Sequence, residues 1–151
     1  MKIYTLVGMM GSGKSTWAKD FIKQHTKTKI VCSDSFRKML NGEYEYIVEL
    51  DDVITESMFA TASNLIGSGY DVIIDCGNLT DAPDRRQKWL KLKGEHIAVI
   101  FPRKNKEWHL KNRVTMPHRE TNLDKIWERE NAAYEDVKEE NYNQVIRIEE
   151  W

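Results

Sequence analysis

Residues Gly8 to Thr16 read GMMGSGKST and follow directly on the apolar run Ile3 to Val7. The pattern GxxxxGK[ST] opens at Gly8 and closes at Gly13, Lys14 and Ser15, which demands a strand, a tight loop and a helix in that order. Gly8, Gly11 and Gly13 let the backbone curl so that successive N–H groups face one anion, where bulky side chains would obstruct it. Lys14 is spaced to reach the β- and γ-phosphates of a nucleotide, Ser15 offers a hydroxyl to Mg²⁺, and the following helix points its positive end at the same phosphates. Gly8, Gly11, Ser12, Gly13, Lys14, Ser15 and Thr16 are therefore the candidate nucleotide-binding residues. A ligand-free glycine turn is the plainer alternative, but the motif is complete and correctly flanked.

The chain has 151 residues, within the usual range for one domain with one core, here residues 1–151. With 23 basic against 24 acidic residues, no global field attracts a polyanion, so any nucleic-acid contact must come from a local patch. Two cysteines, Cys32 and Cys76, are too few for a disulfide framework, and MKIYTLV begins a strand rather than a signal peptide. A reducing, cytoplasmic setting is the expectation. No run approaches the about 18 apolar residues of a membrane span, and there is no internal repeat. Oligomeric state is not encoded in any pattern.

Five apolar, β-rich runs recur at 3–7, 29–33, 71–76, 96–101 and 144–148. Helical patterns lie between them: 14–24, 34–40, 52–68 with Ile54, Met58, Ala62 and Leu65 on one stripe, 83–93 opened by Pro83 and stopped by Gly94, 105–115, and 123–140. Strands alternating with helices predict an α/β fold: a five-stranded parallel sheet, helices on both faces and right-handed crossovers. Ligands in such sheets bind beyond the carboxyl ends of the strands.

The second strand runs out into SDSFR, so Asp34 and Arg37 stand at that edge three residues apart on one helix face. A carboxylate there can take a proton from an attacking hydroxyl, and the guanidinium can hold a phosphate bidentately. Asp34 as a simple helix N-cap is the competing reading. The third strand, DVIID, delivers Asp75 to the same edge, where a carboxylate would join Ser15 in the Mg²⁺ shell. Asn78, on a Gly77 turn, is a candidate acceptor ligand or an ordinary Asx-turn.

Residues 104–122 are basic and broken by Pro117, which suits a helical lid carrying an arginine, Arg113 or Arg119, onto a transferring phosphoryl group. Arg85 and Arg86 open a basic helix that can bind phosphates of a polymeric acceptor, although such runs are usually solvated surface. A switch-type GTPase would need DxxG and NKxD. Asp75 is followed by Gly77, one place early, and Asn105-Lys106-Glu107 by Trp108, so that reading fails. Small size, a phosphate loop, an Asp and Arg after the second strand and a basic lid point to a kinase.

These residues resemble the kinase domain of the bacteriophage polynucleotide kinase-phosphatase family, a group of small P-loop kinases. The resemblance rests on GSGKSTWAKDFI from Gly11, the Asp34–Arg37 pair, and VIID followed by NL and PDRR between Val72 and Arg86. It implies a 5′-hydroxyl kinase that uses ATP and Mg²⁺ on DNA or RNA ends, and a strand order of 2-3-1-4-5. It also implies Lys14 and Ser15 as phosphate and metal ligands, Asp34 as general base, Arg37 as acceptor-phosphate ligand, and Asp75 as the acidic residue of the third strand. The sequence departs from the family in three places. The family's acidic residue falls where Cys76 stands, the second lid arginine falls on Pro117, and the chain ends after the fifth strand, so no phosphatase domain is expected. A small-molecule kinase for a nucleoside, sugar or metabolite, a kinase of a modified DNA base, and an ATP-binding module without transfer are the alternatives the residues leave open.

Overall fold

The computed structural model describes residues 1–112 and 123–149. Its elements are β1 (Lys2–Val7), α1 (Lys14–Gln24), β2 (Thr28–Cys32), α2 (Ser33–Asn41), α3 (Asp51–Gly67), β3 (Asp71–Asp75), α4 (Arg86–Trp89), β4 (Glu95–Ile100), α5 (Lys106–Lys111), α6 (Leu123–Ala133) and β5 (Gln144–Arg147). The five strands form one parallel sheet in the order β2-β3-β1-β4-β5. Fold class and strand order are those expected from the sequence.

Strand side chains alternate between the two faces. Ile3, Val72 and Ile74 point to one side with Ile54, Met58 and Ala62 of α3 and with Trp89, whereas Tyr4, Leu6, Ile73 and Val99 point to the other with Ala18 of α1. Both faces are covered, which is why these strands read as near-continuous apolar runs rather than as alternating ones. Trp17 and Phe21, one turn apart on α1, stack at 4.8 Å and close the second face. Each fully buried aliphatic side chain of this size contributes about 2 kcal/mol. No helix among the described residues is long and apolar enough to cross a membrane.

Three helices are shorter than the sequence pattern suggests. Residues 83–93 hold only the single turn of α4, because Arg85 adopts φ −124 and ψ −120, outside the helical region. The α5 helix is confined to Lys106–Lys111. The expected helix 123–140 ends at Ala133: Glu135 N–H instead donates to Leu79 O at 2.8 Å, and Tyr134, Val137 and Tyr142 pack against Val7, Ala98 and Ile100. Tertiary bonding outcompetes helix propensity there.

Candidate active site

All five strands are parallel, so their carboxyl ends meet at one edge, and a cleft of about 800 Å³ opens there among the phosphate loop, α2, α3, the segment after β3, and α6. The loop occupies its floor. Gly13, at φ 97, precedes α1 without a side-chain cap, which leaves the helix's first N–H groups facing the cleft. Gly11 sits at φ +67, and a Cβ there would lie 2.2 Å from His109 O, so only glycine fits by conformation and by space. Lys14 Nζ donates to Met9 O at 2.9 Å.

Ser15 Oγ donates to Asp75 Oδ2 at 2.8 Å. The register of β2 against β3 pairs Cys32 with Asp75, so the carboxylate also stands beside the start of α2. Burial pushes the Asp75 carboxyl up, a shift opposed by the Lys14 ammonium and by the Ser15 hydroxyl. Desolvation pushes the Lys14 ammonium down, opposed by Asp75, Glu130 and Asp34. A hydroxyl paired with a buried carboxylate is a hard-oxygen donor pair of the kind that suits Mg²⁺, and the first N–H groups of α1 alongside are placed to meet phosphate oxygens.

Across the cleft, Asp34 is the second residue of α2. The cap position belongs to Cys32, ahead of Asp34, the residue to which the N-cap reading assigned it. Arg37, buried, sets its guanidinium 3.5 Å from Asp34 Oδ1 and 2.9 Å from Asp51 Oδ1. Tyr46 donates its hydroxyl to Asp51 Oδ2 at 2.8 Å, with the Arg37 guanidinium 5.1 Å from its ring and that of Arg129, on α6, at 6.0 Å. Lys14, Ser15, Asp34, Arg37 and Asp75 thus share one cleft.

Two expected ligands face inward instead. Arg86 is fully buried, its Nε donating to Thr80 O at 2.9 Å and its guanidinium about 4 Å from Asp81 and Glu135. Asn78, at φ 51, donates Nδ2 to Leu6 O at 2.7 Å and accepts from Trp89 Nε1 at 2.7 Å. Its amide ties β1 to α4 through bonds to residues far along the chain rather than through an Asx-turn, at the margin of the cleft. Arg85 lines the cleft and is part-exposed, paired with Asp84 at 3.4 Å. Arg113 and Arg119 lie outside the described residues. Cys32 and Cys76 are free thiols; burial raises both, Cys76 to about 12, which suits inert side chains.

Asp51, Tyr46, Arg129, Glu130 and His109 escaped the sequence reading. None belongs to a motif, and Glu130 reaches the phosphate loop from 120 residues away. The one local signal was Glu45 and Tyr46 just ahead of the acidic start of α3, which spacing alone does not separate from a solvated loop.

The family model described as an AAA domain (AAA_33) matches residues 3–146. A chain in the structure of a Pnkp1/Rnl/Hen1 complex is 26% identical, with a TM-score of 0.61 over 80% of this chain and 40% of its own length. A chain of the Pnkp1/Rnl/Hen1 RNA repair complex gives 24% identity and a TM-score of 0.71 over 87% of this chain and 43% of that one. A gluconokinase from Sinorhizobium meliloti 1021 gives 15% and 0.62 over 97% and 81%. The chain thus spans less than half the length of the repair-complex chains it matches. The chain has the fold of P-loop kinases, and by its family model it belongs to the AAA domain family AAA_33.

Proposed function

We propose that this protein is an ATP-dependent polynucleotide kinase that transfers the γ-phosphate to the 5′-hydroxyl of a DNA or RNA end in the cytoplasm. The observation that carries the reading is the Asp34–Arg37 pair standing across one cleft from Lys14, Ser15 and Asp75. Lys14 and the loop amides bind the nucleotide phosphates. Ser15 and Asp75 would hold Mg²⁺, which when bound neutralises charge on the β- and γ-oxygens. Asp34 accepts the proton of the acceptor hydroxyl as its oxygen bonds to the γ-phosphorus and the bond to the ADP oxygen breaks. Arg37 gives a fork of donors to the acceptor's phosphate, pre-oriented by Asp51 and Tyr46. Arg85 and Arg129 line the same cleft, beside Asp84 and Glu130, and are placed to meet a further acceptor phosphate.

Incubation with labelled ATP, Mg²⁺ and 5′-hydroxyl oligonucleotides should place label on the 5′ end. Label on a nucleoside, sugar or metabolite with none on oligonucleotides would favour the small-molecule reading, which the gluconokinase likeness supports at the level of fold. Binding of ATP without transfer to any acceptor would leave only a nucleotide-binding module.

A further inference from the structure

The two helices that flank residues 112–122 both grip one residue of the phosphate loop. Met10 N–H donates to Glu130 Oε1, on α6, at 3.1 Å. Met10 O lies 2.8 Å from His109 Nδ1, on α5. The other ring nitrogen, Nε2, sits 3.0 Å from Lys104 N, whose N–H can only donate, so Nε2 accepts and the proton resides on Nδ1, donating to Met10 O. His109 is fully buried and Met10 nearly so. The His109 carbonyl closes on Gly11 from the same side, at the point where a Cβ would clash. The α5 and α6 helices are themselves joined through Lys106, 3.3 Å from Asp124 and 3.1 Å from Glu128.

From these contacts we infer that His109 and Glu130 are positioning residues for nucleotide binding: they hold the two peptide groups of Met10 and so set the shape of the phosphate loop. The physical reason lies in the loop's composition. A run of glycines is conformationally permissive and costs entropy to order, and an anion nest works only when its amides already converge. Lys14 donates to the neighbouring Met9 O, a bond it would have to release to reach phosphate; Met10 is anchored by two side chains from outside the loop. The inference rests on the nucleotide-binding half of the proposed function and not on the identity of the acceptor.

Isosteric variants separate the bonds from bulk packing. Asn at position 109 keeps a donor near the Nδ1 position and Gln does not, while Gln at 130 keeps an uncharged acceptor and Leu does not. ATP affinity of the full chain, measured by calorimetry, should weaken about tenfold in His109→Gln and in Glu130→Leu, the scale of one lost hydrogen bond. It should remain within about threefold of wild type in His109→Asn and Glu130→Gln. Combining His109→Gln with Glu130→Leu should cost less than the product of the two, because both act on one peptide.

Hydrogen exchange on the ligand-free protein, which needs no substrate, should show faster exchange at residues 9–13 in the two weakened variants and not in the two conservative ones. Equal ATP affinity in all four variants, tighter ATP binding by Glu130→Leu, or unchanged exchange in the loop would each overturn the inference. Wild-type protein that binds ATP but phosphorylates no oligonucleotide would count against the polynucleotide reading alone.

Discussion

At the scale of single residues, charge and burial divide the cleft into groups that act and groups that support. Asp34 belongs to α2 and Lys14 to the phosphate loop on the floor of the cleft, so their replacement should differ in kind. Asp34→Ala is expected to lower kcat by about 10²–10⁴-fold, the range for a lost general base, with ATP affinity kept, whereas Lys14→Ala should lose ATP affinity as well. Equal loss of ATP affinity in both would remove Asp34 from the acceptor side. Asp75 is a stability liability in the absence of a cation, since burial raises its carboxyl. Asp75→Asn keeps an acceptor for Ser15, so the Tm of the ligand-free protein should equal or exceed wild type while Mg²⁺-dependent transfer collapses.

His109 supplies a pH dependence. Burial holds its imidazole below the ordinary histidine range, assisted by the positive Lys14 and Arg103 and opposed by the bond to Met10 O. With the folded value below the unfolded one of about 6.5, the stabilising neutral form is fully present above that pH and its contribution is lost as pH falls through the folded value. Urea midpoints measured downward from pH 7 should therefore decline, and His109→Asn should flatten that part of the decline. The loop glycines and Lys14 were legible from spacing because the phosphate loop is local. His109 was not, since its partner Met10 lies 99 residues away and meets it only after the chain has crossed the sheet.

At the scale of elements, the segment after β3 shows how far a charge run can mislead. Arg85 and Arg86 are adjacent in a stretch that reads as one basic helix. A break at Arg85 leaves that residue at the cleft and turns Arg86 into the interior against Thr80, Asp81 and Glu135. Arg86→Ala should cost about 3–5 kcal/mol of stability, as expected when a buried ionic partner is removed, measured by urea unfolding. Arg85→Ala should leave stability within about 0.5 kcal/mol and raise the KM for oligonucleotide. The reverse pattern would mean that the two arginines have exchanged roles. Helix periodicity located α1 and α3 well because each buries a single stripe. It overran α4, where Arg85 leaves the helical region, and α6, where Glu135 N–H bonds Leu79 O instead of continuing the helix.

At the scale of the whole molecule, nearly balanced charge supplies no global field toward a polyanion, so the proposed acceptor would be held by individual arginines of the cleft. Contacts to about two phosphates, through Arg37 and Arg85, predict that log KM for a single-stranded oligonucleotide rises against log salt with a slope of about 1.4. A nucleoside or sugar acceptor should show almost none. A flat salt response for oligonucleotides would speak for recognition of the end alone, without the neighbouring phosphate.

Parallel topology, inferred from alternating strands and helices, already implied that the loop, Asp34 and Asp75 would emerge at one edge. Sequence alone determined the donor half of the site, because its residues are contiguous and their backbone geometry is dictated by glycine. It also determined the layered α/β architecture, because the strands must be apolar on both faces to sit between helices. The tertiary structure decided which cations face the cleft, which helices end early, and which side chains brace the phosphate loop. Those outcomes depend on packing between residues tens to more than a hundred positions apart, where burial and hydrogen-bond satisfaction outweigh any local pattern.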